Sequence, residues 1–172
     1  DKTSLSYVWW KEQIRRCLFG WIAPDGVFIN GIYYFYLNFV TIEGFSHRND
    51  GVMELTHPYF RDNDKEILDL AWINLSQKTR GGRMKNAKNI VEAKVRGIGY
   101  TYLMNYADAM WNFIFRPDKM VAFAYESEEL MKIERLDWIS CYKRLHPIFR
   151  RWNGSELIVA IDSANQFSVA YE

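Results

Sequence analysis

The sequence is poor in residues that staple small folds or hold metals. It has two cysteines, Cys17 and Cys141, and three histidines, His47, His57 and His146, in 172 residues. No CxxC pair and no Cys/His cluster occurs, so a disulfide framework and a zinc site are not expected. Reduced, buried thiols are the expectation, and they suit an intracellular compartment. An excess of one charge is also missing. The net charge is +1, so the domain as a whole does not advertise nucleic-acid binding. No apolar run approaches the length of a membrane span. The longest, Ile32 to Val40, is interrupted by Tyr33, Tyr34, Tyr36 and Asn38. No internal repeat is visible.

What is present is apolar and aromatic mass. Hydrophobic residues make up 49 % of the chain, which is a globular composition and not a disordered one. Aromatic residues reach 17 %, with seven Trp, eleven Tyr and eleven Phe. Such rings supply core area together with polar edges that need partners. Some could instead face a partner or a nucleotide base.

Periodicity divides the chain into elements. Residues 6–19 read as a helix capped by Ser6, with Trp10, Ile14, Cys17, Leu18 and Trp21 on one stripe. Ala23-Pro24-Asp25-Gly26 is a turn by chemistry. Val27 to Ile29 is a short strand, and Asn30-Gly31 gives a second turn signal. Tyr33 to Ile42 is aromatic and β-branched, which predicts a strand. Gly44 to His57 reads as loop. A helix starts between Pro58 and Asp64 and carries Ile67, Leu68, Ala71, Trp72 and Leu75. Gln77 to Lys88 is a basic loop. Ile90 to Val95 predicts a strand, Thr101 to Phe115 a helix and Met120 to Tyr125 a strand. That strand–helix–strand order predicts a parallel sheet with a crossover helix. Glu128 to Leu145 predicts a helix, and Leu157 to Ile161 and Phe167 to Tyr171 predict two strands.

The stretch Lys88 to Asn105 carries the functional signal. Lys78, Arg80, Arg83, Lys85, Lys88, Lys94 and Arg96 crowd together, with no acid before Glu92. The run flows into Arg96-Gly97-Ile98-Gly99-Tyr100-Thr101. A glycine turn exposes backbone N–H groups, and a helix N-terminus adds partial positive charge. A phosphate loop has the form G-x-x-x-x-G-K-[ST]. Here Gly99 and Thr101 occupy the second glycine and hydroxyl positions. Tyr100 stands in place of the lysine, and Lys94 in place of the first glycine. Lys94 and Arg96 could fold over phosphates from upstream, with Gly97 and Gly99 allowing close backbone approach. Thr101 would cap the helix and offer its hydroxyl to a metal. The alternative is a plain strand-to-helix turn whose glycines serve packing.

These residues, with Met120-Val121-Ala122-Phe123-Ala124-Tyr125-Glu126 downstream, resemble the large terminase subunits of tailed bacteriophages, the DNA-packaging motors. Phosphate loops of that family follow a deviant R-x-x-G-K-[ST] pattern, which Arg96, Gly99 and Thr101 match and Tyr100 does not. Asn30 to Phe39 is similar to an aromatic segment of divergent members, and Pro58-Tyr59-Phe60-Arg61-Asp62 to a segment ahead of the loop. The resemblance covers residues 7–130.

It implies a P-loop NTPase-like α/β fold, a parallel sheet flanked by helices with an aromatic-rich N-terminal extension. Residues 1–86 would form that extension and residues 87–172 a partial ATPase core. It implies ATP and Mg²⁺ as ligands. The nucleotide would be held by Lys94, Arg96, Gly97, Ile98, Gly99, Tyr100 and Thr101, with Phe60 and Arg61 toward the adenine, and the metal by Thr101. It implies double-stranded DNA, a portal protein and a small terminase subunit as partners. The setting would be a homo-oligomeric ring in the host cytoplasm.

A packaging ATPase also needs an apolar strand ending in an acid, then a glutamate that orients water. Leu157 to Asp162 has that form, which makes Asp162 a candidate acid, but Ser163 follows where glutamate is expected. The family's coupling segment and nuclease have no counterpart here. The chain therefore reads as an N-terminal piece of such a motor. A non-catalytic nucleic-acid-binding module, or an assembly domain with a phosphate-loop-like turn, are the competing readings.

Overall fold

The computed structural model describes residues 4–45, 53–76, 99–116, 120–150 and 157–171. Helix α1 spans Leu5–Phe19. Its cap is Ser4, whose hydroxyl accepts the Tyr7 N–H at 3.2 Å, two residues ahead of the expected Ser6. The helix ends at Gly20, whose φ of 81° is a left-handed exit. A short antiparallel pair follows, β1 (Trp21–Ile22) with β2 (Phe28–Ile29), closing the Pro-Asp-Gly turn.

The aromatic segment is the first correction. Gly31–Phe39 is a helix, α2, and not a strand. Asn30, expected in a tight turn, is its cap: the side-chain oxygen accepts the Tyr33 N–H at 2.9 Å. The aromatic residues prefer strands in isolation, yet here burial decides. Residues 31–36 are all buried, so the helix is apolar on every side and runs through the centre of the core. Gly31 lets it start there. A Cβ on Gly31 would lie 2.0 Å from the Cys17 carbonyl oxygen of α1.

The stretch read as loop contains a hairpin, β3 (Ile42–Phe45) with β4 (Met53–Thr56). Helix α3 covers Asp62–Ser76, as its apolar spacing predicts. From Tyr100 to Phe115 the chain is helical, but Tyr102–Ala109 is wound as a π-helix before α4 (Met110–Phe115). Strand β5 is Val121–Ala124 and helix α5 is Glu128–Arg144, capped by Ser127 on the Leu130 N–H at 3.2 Å. A 3₁₀ turn at Pro147–Phe149 precedes β6 (Leu157–Ser163) and β7 (Gln166–Tyr171).

The expected parallel sheet is the second correction. The described strands form sheets of two, two and three strands, and every pairing is antiparallel. The largest has the order β5-β7-β6. A two-residue turn, Ala164-Asn165, folds β6 back on β7, and β5 takes the other side of β7. Asn165 fixes that arrangement, donating its amide to the Tyr125 carbonyl at 2.8 Å and accepting the Tyr125 N–H on its own carbonyl at 2.9 Å. A P-loop NTPase-like fold is therefore not indicated. The strand expected at Ile90 to Val95 lies outside the described residues.

One core joins these elements. Trp138, Tyr33, Tyr36, Phe35, Phe113 and Phe167 are its largest fully buried side chains. Trp111 ties α4 to α1, donating its indole N–H to the Cys17 carbonyl at 2.8 Å. Among the described residues no helix is long and apolar enough to cross a membrane.

Candidate functional site around Arg61 and Gly99

Arg61 stands at the entrance to α3, and its backbone is pinned by a residue from the core. The Tyr33 hydroxyl accepts the Arg61 N–H at 2.7 Å and lies 3.1 Å from the Arg61 carbonyl, to which it can donate. Tyr33 itself is fully buried in α2. Burial holds its phenol well above the usual value, at about 12, so the hydroxyl keeps its proton to donate. The guanidinium is fixed at its other side by Asp64. Arg61 Nε donates to a carboxylate oxygen of Asp64 at 2.8 Å. Asp64 is buried, and burial pushes its carboxyl up, with Arg61 pulling it part of the way back.

The rest of the guanidinium reaches Gly99. Gly99 has φ +80°, the left-handed region that glycine enters at little cost. A Cβ built there would meet Arg61 Nη2 at 3.0 Å. The helix begins at the next residue, and the Leu103 N–H bonds the Gly99 carbonyl at 3.3 Å. Gly99, the helix start and an arginine are thus brought together from segments far apart in sequence. A guanidinium beside a glycine turn can meet an anion in a bidentate, charge-assisted way.

Phe60 faces the neighbouring groove. It is half-exposed, tilts against Tyr33 at a centroid distance of 5.4 Å, and lines a surface groove of about 630 Å³. Ala23, Val27 and Ile29 supply the other apolar walls, and Asp25, Asp62, Lys65 and Glu66 the polar ones. That volume is in the range of small-ligand sites. The carboxylates there accept hydrogen bonds, which suits the amino group of a base and not a phosphate.

The remaining expected residues divide. Tyr100 is half-buried in the first helical turn. Thr101 is exposed, has helical backbone angles and makes no cap hydrogen bond, so it does not cap the helix as expected. Its hydroxyl is open to a ligand. Lys94, Arg96, Gly97 and Ile98 lie outside the described residues, as does the basic run from Lys78 to Lys88. Asp162 is exposed on β6, at the irregularity between Ile161 and Ser163 and beside the hairpin turn. No hydrogen bond or ion pair among the described residues joins it to Thr101. Nor do three His, Cys, Asp or Glu side chains come together there as a metal-holding group.

Sequence reasoning missed Tyr33 and Asp64, the two residues that hold Arg61. Asp64 follows Arg61 by one helical turn, a spacing that signals an ion pair. Tyr33 gave no such signal, because its segment reads as strand. Compared with known proteins, the chain matches no family model, no curated protein and no solved structure.

Proposed function

We propose that this chain binds ATP where Arg61 meets Gly99, as the nucleotide-binding part of a viral DNA-packaging motor of the terminase type. The approach of the Arg61 guanidinium to the left-handed Gly99 carries the reading. Gly99 is expected at the phosphates from the motif and Arg61 near the adenine from the resemblance; here Arg61 is assigned to the phosphates instead, because it lies beside Gly99. Arg61 and the N–H groups of the turn would hold the phosphates electrostatically. Lys94 and Arg96 would add charge from upstream. The base would lie against Phe60 in the adjoining groove, its amino group facing the acidic wall. The proposal needs the local turn and arginine, not a parallel sheet.

Mg²⁺ fits such a site through Thr101, since this ion keeps most of its ligands as phosphate oxygens and water. When bound, it would neutralise phosphate charge. In the whole protein, ATP hydrolysis would drive double-stranded DNA into a procapsid. The subunits would work as a homo-oligomeric ring with a portal protein and a small terminase subunit, in the host cytoplasm.

Calorimetric titration of the chain with ATP and Mg²⁺ tests the reading. Saturable binding is expected, and Arg61→Ala should weaken it about tenfold or more, as loss of a charged hydrogen bond does. Thr101→Ala should lower affinity only when Mg²⁺ is present. No ATP binding by the parent chain, or full affinity in Arg61→Ala, would overturn it. The alternative in that event is a non-catalytic nucleic-acid-binding or assembly module. Salt-dependent DNA binding without any ATP effect would identify the first of these.

A further inference from the structure

Away from Arg61, a second concavity lies between the start of β3, the π-helix and α5. It is a small cavity of about 80 Å³, enough for a compact head group and its immediate hydration. Tyr102 and Tyr106, one turn apart on the π-helix, form one wall, their rings tilted with centroids 5.3 Å apart. Glu43 comes from β3 and Asp137 from α5. Among the described residues neither carboxylate carries an ion pair.

Arg144 also lines the cavity, but its guanidinium is occupied. Its Nε donates to Thr41 Oγ1 at 3.1 Å, Nη1 to Ser140 Oγ at 2.7 Å and Nη2 to the Thr41 carbonyl at 3.3 Å. All three acceptors are neutral oxygens of the same wall. Arg144 therefore braces α5 against the start of β3 through neutral acceptors, and two carboxylates share the cavity with its one positive charge.

Tyr106 supplies an independent observation. It is only 5 % exposed, and its hydroxyl has no hydrogen-bond partner among the described residues. Tyr106 lines the cavity; burial raises its phenol first, and Glu134, Asp137, Cys141 and Tyr102, three of which also line the cavity, raise it further. Glu43, Glu134 and Asp137 all act to raise the Tyr102 phenol, and no cation acts to lower either phenol. The Tyr106 oxygen is not sealed from solvent, so it can accept a hydrogen bond from a ligand in the cavity.

We infer that this cavity is a binding site for a small N–H cation, an alkylammonium or guanidinium head group. Its N–H donors meet Glu43, Asp137 and the Tyr106 oxygen while its charge rests against the Tyr102 and Tyr106 rings. An anion is excluded by the two carboxylates. A quaternary ammonium would satisfy the rings but not the acceptors. The head group could belong to a free amine or to a lysine or arginine side chain of a partner protein. The inference is independent of ATP binding, since it shares no residue with the Arg61 site.

Titration of the chain with methylguanidinium chloride, followed by tyrosine ring resonances in NMR, tests it. Sodium chloride at equal ionic strength is the reference. Saturable shifts of Tyr102 and Tyr106 are expected, weakened about tenfold in Asp137→Asn and in Glu43→Gln. Both carboxylates are exposed, so these variants keep the fold, which circular dichroism checks. Tetramethylammonium should bind about tenfold more weakly than methylguanidinium, for want of N–H donors. An Ala-Arg-Ala amide that binds tighter than methylguanidinium would point to a partner side chain, and equal affinity to a free cation. Unsaturable shifts, equal binding of tetramethylammonium, or unchanged affinity in both variants would overturn the assignment.

Discussion

The Tyr33 hydroxyl holds Arg61 by both backbone polar groups, at 2.7 Å to its N–H and 3.1 Å to its carbonyl. One oxygen of a buried core helix thereby sets where α3 begins and where the Arg61 side chain starts. Tyr33→Phe removes that oxygen and keeps the ring against Phe60. It should cost about 1–3 kcal/mol, because the Arg61 N–H loses its partner. It should also weaken ATP binding while leaving Arg61 in place. Urea midpoints and ATP titration measure the two effects. A variant of wild-type stability would show that water replaces the hydroxyl without loss.

Two glycines separate packing from ligand binding. Gly31→Ala places a methyl 2.0 Å from the Cys17 carbonyl oxygen, a backbone atom that cannot swing aside. The expected loss is about 3 kcal/mol, seen as a lower denaturation midpoint. Gly99→Ala meets a side chain instead, Arg61 Nη2 at 3.0 Å. Its cost is chiefly the left-handed backbone, about 1–2 kcal/mol, and the guanidinium must move. ATP affinity should fall in Gly99→Ala beyond what its stability loss explains. Equal affinity in that variant and the parent would remove the turn from the site.

How far these features were legible depends on whether the signal was local. Helices α1, α3 and α5 repeat apolar residues along one stripe and end at caps or glycine, so their sequences suffice. The β6–β7 strands were legible for the same reason. Helix α2 was not, because Asn30-Gly31 fits both a hairpin turn and a helix cap, and only burial on all sides chooses between them. Sheet direction was not legible either. Val121–Ala124 reads the same beside a parallel or an antiparallel neighbour, and Asn165, forty residues on, decides it. At the site, Gly99 follows from the glycine motif and Phe60 and Arg61 only from the family resemblance, whereas Tyr33 and Asp64 become visible only when α2 and α3 are placed together.

Stability should respond to pH through Glu134. Burial raises its carboxyl above the ordinary value of 4.5, and Asp137 adds to this, while the Asn105 amide at 3.3 Å opposes it. The folded state thus holds this proton more tightly than the unfolded chain. Below pH 4.5 both states are protonated and nothing changes. As pH climbs from there through the raised folded value, stability falls. Glu134→Gln removes the titration and should flatten that decline, with part left over from Asp64 and Asp108, which burial shifts the same way. Glu12 acts oppositely and at lower pH. Its carboxyl, held down to about 2 by Arg15 and Arg16, contributes stability that is lost as pH drops from 4.5 toward that value. Urea midpoints between pH 4 and 8 give the slopes. Identical slopes in the variant and the parent would take Glu134 out of the account.

The π-helix poses the last question, which is what keeps it from relaxing to ordinary α-helix. Eight consecutive residues in this winding is long, since π geometry usually occurs as a single-turn bulge. Asn105, near its middle, is engaged at both ends. Its carbonyl accepts the Trp138 indole N–H at 3.0 Å, and its amide donates to the Tyr125 hydroxyl at 3.0 Å. Trp138 is fully buried and stacks on Tyr142, so Trp138→Phe keeps an aromatic ring there and removes the N–H. The combined loss of ring volume and hydrogen bond should cost about 2–4 kcal/mol. Hydrogen exchange distinguishes a local cause from a global one. If the indole holds the winding, amides of residues 102–109 should lose protection well before those in the middle of α5. Equal loss in both segments would mean that packing, and not this bond, fixes the π-helix.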